Sequence, residues 1–186
     1  MIEIKGTSPM HDLISKEYAH TLREMHEDHP NWGRDGAKWL DAIISRLYRI
    51  PAITSILDYG CGKGAFKIEM RQHTLGERLT IVEYDPGIKD KSSPPIMPCD
   101  LVVCTDVMEH VEEDKVAGVI AHIASLTARE AFFVINTRPA RAVLPDGRNA
   151  HICQRNTQWW LEQLDDHLQV RHWYETKKEL VVWCRK

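Results

Sequence analysis

The stretch ILDYGCGKGA, residues 56–65, decides how the rest of the chain is read. A short apolar strand runs without a linker into a turn that carries Gly60, Gly62 and Gly64. Positions without side chains let the backbone bend sharply there, and let a ligand approach the amino terminus of the helix that follows. Gly60, Gly62 and Ala65 on their own also satisfy a loose dinucleotide fingerprint, which is weak evidence. Two neighbours break the tie. Asp58 closes the strand two residues before Gly60, where dinucleotide folds usually carry an apolar residue. A carboxylate there suits a cationic ligand group better than a pyrophosphate. Asp85 ends the next apolar segment, IVEYDP, where a carboxylate can accept both hydroxyls of a ribose.

Strands and helices alternate on either side of this turn. Strands are predicted over 54–60, 79–85, 100–106 and 131–137, with helices over 62–73 and 107–126 between them. Residues 86–99 hold four prolines and two serines, so they read as a loop. A polar connection over 138–156 leads to a helix over 157–164 and a closing pair of strands over 168–175 and 179–186. Upstream, Leu13, Ile14, Tyr18, Leu22 and Met25 recur at helical spacing over 11–27. A turn-rich break follows, then a second helix over 37–50 that ends at Pro51. The central strands are continuously apolar rather than alternating. That pattern predicts an α/β fold whose mostly parallel sheet is covered by helices on both faces.

Composition excludes several classes. The chain has 186 residues, 43% of them hydrophobic, which is enough for one full core and too little for two comfortable domains. The net charge of −3 argues against a polyanion binder held by bulk charge. No apolar run approaches a membrane span, and the amino terminus lacks a signal pattern, so a cytoplasmic protein is expected. Five cysteines without CxxC pairing read as free thiols, small core residues rather than zinc ligands. Charge is uneven: Arg138, Arg141, Arg148 and Arg155 fall within 18 residues with Asp146 as the sole acid among them. They are either a solvated basic loop or a pocket for an anionic substrate group.

With these segments in order, the chain resembles a class I S-adenosylmethionine-dependent methyltransferase of a small bacterial or phage-associated type. The matching stretches are ILDYGCGKG, VEYDP and DLVVCTDVMEHV, which span about residues 54–137. The resemblance implies one domain over 1–186, with a helical lid over 1–50 and a Rossmann-like core over 51–186. It implies S-adenosylmethionine as cofactor, held by Asp58, Gly60, Cys61, Gly62, Asp85, Pro86, Thr105 and Asp106, with the glycine-turn amides adding donors. One departure stands out. Relatives carry a further helix and strand where this chain has only residues 86–99, so the sheet is expected to be one strand short. Pro86, Gly87 and Ile88 then substitute for the usual adenine contact.

The acceptor side is less defined. An imidazole is the most economical base near neutral pH, which brings in His110 and His151 as catalytic candidates. Asp106, Glu109 and His110 are spaced to share one helical face, and with His151 they form an alternative metal set, although no metal is assigned. Arg148, Asn149 and His151 are candidates to converge on a ligand, or PDGRN is only a tight turn. Of Trp159 and Trp160, adjacent on one helix, one is expected in the core and the other at the pocket wall or over the sheet edge. Tyr18, His26 and Trp32 are lid candidates. The leading function is methyl transfer to an oxygen or nitrogen of a small acceptor, with an anionic or nucleotide-like one left open. Alternatives are a metal-assisted O-methyltransferase, a non-catalytic cofactor-binding partner subunit that docks through Trp159 and Trp160, and, least favoured, a nicotinamide-dependent reductase.

Overall fold

The computed structural model describes residues 13–186. The start of the first predicted helix at residue 11, and most of the amino-terminal stretch read for a signal, lie outside these residues. Helix α1 (Lys16–Asp28) begins at Ser15, whose hydroxyl accepts from the Tyr18 amide at 3.1 Å. After a 3-10 turn (Asp35–Ala37) comes α2 (Leu40–Arg49), and then strand β1 (Ser55–Tyr59). Helix α3 (Ala65–Gln72), strand β2 (Thr80–Tyr84) and strand β3 (Cys99–Thr105) follow. Helix α4 (Val116–Leu126) passes directly into β4 (Thr127–Asn136). Helix α5 (Thr157–Asp165) and strands β5 (Gln169–Glu175) and β6 (Glu179–Arg185) complete the chain.

The six strands among the described residues form one sheet in the order β2-β1-β3-β4-β6-β5. The first four run parallel, while β6 pairs antiparallel with both β4 and β5. Residues 86–98 contain a single 3-10 turn (Lys89–Lys91) and no strand, so β2 is the sheet's edge on that side. The expected absence of a strand there is what the structure has.

Side chains of the central strands alternate between two buried layers. Leu57, Val102, Cys104, Phe133 and Ile135 pack with α4 and α5 residues such as Ile120, Ile123, Trp160 and Leu164. Ile56, Leu101, Val103, Phe132 and Val134 pack with Ile43 and Leu47 of α2 and Phe66 and Met70 of α3. Apolar contact on both faces explains why these strands read as continuous hydrophobic runs. All five cysteines are free and buried, as core residues. Among the described residues, no helix is long and apolar enough to cross a membrane.

One element differs from the sequence reading. Residues 107–126 are not a continuous helix: 3-10 turns at Met108–His110 and Glu113–Lys115 precede α4. Asp106, at φ 55°, adopts a left-handed conformation that ends β3 abruptly. Asp106, Glu109 and His110 therefore do not share a helical face.

Candidate active site

Open parallel sheets bind ligands outside the carboxyl ends of their strands. Here those ends open into one cavity of about 510 Å³. Its wall takes Gly60, Cys61 and Gly62 after β1, Asp85 and Pro86 after β2, Thr105 and Asp106 at β3, and Asn136 and Arg138 at β4. The order of strands sets the order of these strand ends along the cavity, and that of β2 lies three strand spacings, about 14 Å, from that of β4. His26 from α1, with Trp32 and Gly33 from the following break, also line it.

The glycine turn is fixed from within. Gly60 and Cys61 amides both donate to the Tyr84 carbonyl, at 2.7 and 3.0 Å, and the Lys63 amide donates to the Gly33 carbonyl at 2.9 Å. The Gly62 amide donates to Asp85 Oδ2 at 2.8 Å. These amides are committed, so the expectation that they serve as ligand donors is corrected: the turn offers a close surface instead. Gly60 has to lack a side chain because a Cβ there would stand 2.2 Å from Val107 Cγ2.

Asp85 also accepts from the Gly87 amide at 2.8 Å through Oδ1. A carboxylate has about four acceptor sites, so capacity remains for hydroxyl donors. His26 Nε2 stands 3.7 Å from the same oxygen. Pro86 reaches the cavity, whereas Gly87 is covered by Leu22 and His26. Ile88 does not reach it.

Asp58 is placed differently from the expectation. It is absent from the cavity wall, its Oδ2 is buried with no hydrogen-bond partner among the described residues, and burial, reinforced by Glu83, pushes its pKa up to about 8. Asp106 does line the cavity. Burial raises its pKa to about 6 against the pull of Lys38, with Glu179 and Asp35 adding to the rise. Lys38 itself is paired with Glu179, and both reach the cavity. Sequence reasoning missed Lys38, Glu179 and Asn136. Only Asn136 carried a signal, as the polar residue closing a strand at the ligand-binding edge.

His110 and His151 come together, their ring centroids 4.9 Å apart and nearly perpendicular. His110 Nδ1 lies 2.8 Å from the Ala150 carbonyl, and His151 Nδ1 bonds the Arg138 carbonyl. A carbonyl only accepts, so each Nδ1 carries the proton and each Nε2 keeps its lone pair. Burial, with His151 beside it, depresses the His110 pKa to about 4, and burial lowers that of His151 as well. Trp32 packs edge-on against His110 at 5.2 Å between centroids. Glu109 is fully buried, its Oε1 accepting from the Asn136 amide at 3.1 Å. Burial raises its pKa well above the usual carboxylate range. One ligand atom each from Glu109, His110 and His151 lies within 4.8 Å of the others, and Asp106 is not part of that group.

The arginines divide. Arg148 pairs with Asp146 at 2.6 Å, and Arg155 pairs with Glu113 and lies over Trp159. Arg138 and Arg141 line the cavity with no carboxylate partner among the described residues. Asn149 is not part of the cavity wall. It accepts from the Ala140 and His151 amides and donates to the Ala140 carbonyl, which pins the loop that carries His151. The PDGRN segment is thus a turn, with Gly147 at φ 86°. Trp160 is fully buried and Trp159 half-buried beside it, and neither walls the cavity. Trp160 is therefore not exposed for docking, and Trp159 is only partly so. Of the lid candidates, His26 and Trp32 line the cavity, while Tyr18 is buried behind it.

A family model described as a methyltransferase domain matches residues 12–186. No curated protein sequence matches the chain. Solved structures share its fold at low identity. Magnesium protoporphyrin IX methyltransferase from Synechocystis PCC 6803, solved with bound SAH, is similar at 15% identity and a TM-score of 0.58, over 80% of this chain and 82% of that one. A 1,6-didemethyltoxoflavin-N1-methyltransferase from Burkholderia thailandensis, solved with bound 1,6-didemethyltoxoflavin and S-adenosylhomocysteine, is similar at 16% identity and a TM-score of 0.62, over 100% of this chain and 93% of that one.

Proposed function

This chain belongs to the methyltransferase domain family, and from that premise we propose that it moves the methyl group of S-adenosylmethionine to an oxygen or nitrogen of a small anionic acceptor. The observation that carries this reading is one cavity lined both by Asp85 with the glycine turn and by His110, His151, Arg138 and Arg141, of which the first group defines a cofactor end and the second an acceptor end. At the first end, Asp85 takes the ribose hydroxyls, Pro86 borders the base, and Gly60, Cys61 and Gly62 form the floor. Thr105 and Asp106 flank the methionine part, where the Asp106 carboxylate faces the ammonium. His26 and Trp32, carried by the helical segment before β1, close over the bound cofactor as a lid. A cavity of about 510 Å³ lies within the usual range for small-molecule sites.

At the second end, the guanidinium groups of Arg138 and Arg141, which have no carboxylate partner among the described residues, suit a carboxylate or phosphate on the acceptor. The reaction is an in-line displacement. The acceptor's lone pair forms a bond to the methyl carbon as the carbon–sulfur bond breaks, and that electron pair passes to sulfur, leaving S-adenosylhomocysteine. Alignment within about 3–3.5 Å supplies much of the rate. The acceptor's proton is managed at the His110–His151 pair, whose neutral rings present lone pairs at Nε2.

The experiment is transfer from methyl-labelled S-adenosylmethionine to a panel of carboxylated and phosphorylated alcohols and amines. Label should move to an anionic member, and His151→Ala should lower turnover roughly 10²–10⁴-fold with S-adenosylhomocysteine affinity unchanged. Turnover that ignores the loss of both histidines would overturn their assignment.

A further inference from the structure

The His110–His151 pair has a third member in Glu109, and the three side chains are arranged as ligands. Two come from consecutive residues of the Met108–His110 turn, and the third from the loop after β4. Each histidine is held through Nδ1 by a main-chain carbonyl, Ala150 for His110 and Arg138 for His151. Metal-binding histidines use the same outer-shell anchoring, which fixes the ring and leaves the other nitrogen free. Glu109 is anchored through Oε1, while its Oε2 is fully buried with no hydrogen-bond partner among the described residues. An unpaired buried carboxyl oxygen is costly and calls for a specific reason. A cation supplies one.

We infer that Glu109, His110 and His151 form a binding site for a divalent first-row transition ion, with the remaining coordination positions open to the cavity. One ligand atom from each residue already lies within 4.8 Å of the other two. Ligands about 2.0–2.2 Å from a common ion stand somewhat closer together than that, so binding draws the three inward. Two imidazoles and one carboxylate select Zn²⁺ or Mn²⁺ over Mg²⁺ and Ca²⁺, which prefer an all-oxygen shell. His110 and His151 both line the cavity, so the open positions adjoin the acceptor end.

What the ion does there rests on the proposed methyl transfer, although whether it binds does not. An acceptor hydroxyl that coordinates the ion is acidified. Its O–H bond breaks, the proton passes to water and the electron pair stays on oxygen, which then attacks the methyl carbon. The histidines thus manage the proton through the ion, as its ligands.

The test uses Co²⁺ as probe on the full chain after treatment with a chelator, read by visible absorption. One Co²⁺ per chain should bind with a ligand-field spectrum, Zn²⁺ should displace it, and millimolar Mg²⁺ should not. His151→Ala, His110→Ala and Glu109→Gln should each weaken Co²⁺ binding roughly 100-fold, since loss of an outer-shell partner alone costs 10–100-fold. Thermal melting identifies any variant that fails to fold, and the remaining ones carry the test. A folded wild-type chain that binds no Co²⁺, or binding unchanged in the folded variants, would overturn the site. Calorimetry with S-adenosylhomocysteine on the same samples separates the two ideas. Co²⁺ binding without it leaves the ion site standing and removes the transferase reading, and the reverse result removes the ion site alone.

Discussion

His26 Nε2, carried by helix α1, stands 3.7 Å from Oδ1 of Asp85, the carboxylate we assign to the cofactor's ribose. The same carboxylate accepts from the Gly62 and Gly87 amides, so it organises the glycine turn as well as facing the cavity. Asp85→Ala should weaken S-adenosylhomocysteine binding by about 1–3 kcal/mol, the scale of hydrogen bonds to a charged group. Two amides lose their acceptor at the same time, so unfolding stability should drop by about 1–3 kcal/mol. Calorimetry and thermal melting measure the two effects separately. A variant that melts lower yet binds the cofactor product normally would make Asp85 a turn residue only.

The break after α1 and the glycine turn meet at Gly33 and Gly62. A Cβ on Gly62 would lie 2.5 Å from the Gly33 carbonyl oxygen, and Gly62 has φ 50°. Gly62→Ala should therefore cost about 1–3 kcal/mol in stability through strain and should also weaken cofactor binding. Gly118, exposed in α4 with nothing near its missing Cβ, is the contrast. Gly118→Ala should raise stability by about 0.5–1 kcal/mol. Equal melting temperatures for the two variants would refute the close-packed junction.

The four arginines should separate by kinetics. Arg138→Gln and Arg141→Gln remove cations from the cavity wall and should raise KM for an anionic acceptor about tenfold each, the loss of roughly 1.4 kcal/mol. Arg148→Gln and Arg155→Gln break surface pairs worth only about 0–1 kcal/mol and should leave KM alone. If all four behave alike, the acceptor is not recognised by charge at this wall.

Much of the fold was legible because both its main signals are local. Residues 56–65 announce a strand-to-helix turn, and doubly buried strands such as Leu101–Cys104 must be apolar throughout. The helix expected over 107–126 failed because one backbone angle, φ 55° at Asp106, redirects the chain before two short turns. No letter in TDVMEHV specifies that angle. Cavity residues after β1, β2 and β3 could be named from their strand ends. The acceptor side could not be resolved so far, since its geometry depends on distant main-chain groups. Glu109 is held by the amide of Asn136, and His110 by the carbonyl of Ala150. Lys38 reaches the cavity beside Asp106 and Glu179 only after the sheet has assembled.

Asp58 gives a pH signature. Its folded pKa, about 8, lies above the ordinary 3.8 because of burial and then Glu83. Between those values the folded chain holds a proton that the unfolded chain has released, so its contribution to stability is full below pH 4 and is lost as pH rises to about 8. Asp58→Asn removes this dependence. Denaturant unfolding at pH 5 and pH 8 should show the variant gaining on the wild type at the higher pH. Parallel pH profiles for the two proteins would contradict a buried, proton-holding Asp58.

The most direct measurement is a calorimetric titration of the wild-type chain with S-adenosylhomocysteine and, separately, with NAD. Asp85 and the glycine turn predict one S-adenosylhomocysteine per chain and no heat from NAD. Binding of NAD, with no heat from S-adenosylhomocysteine, would contradict the account at its centre.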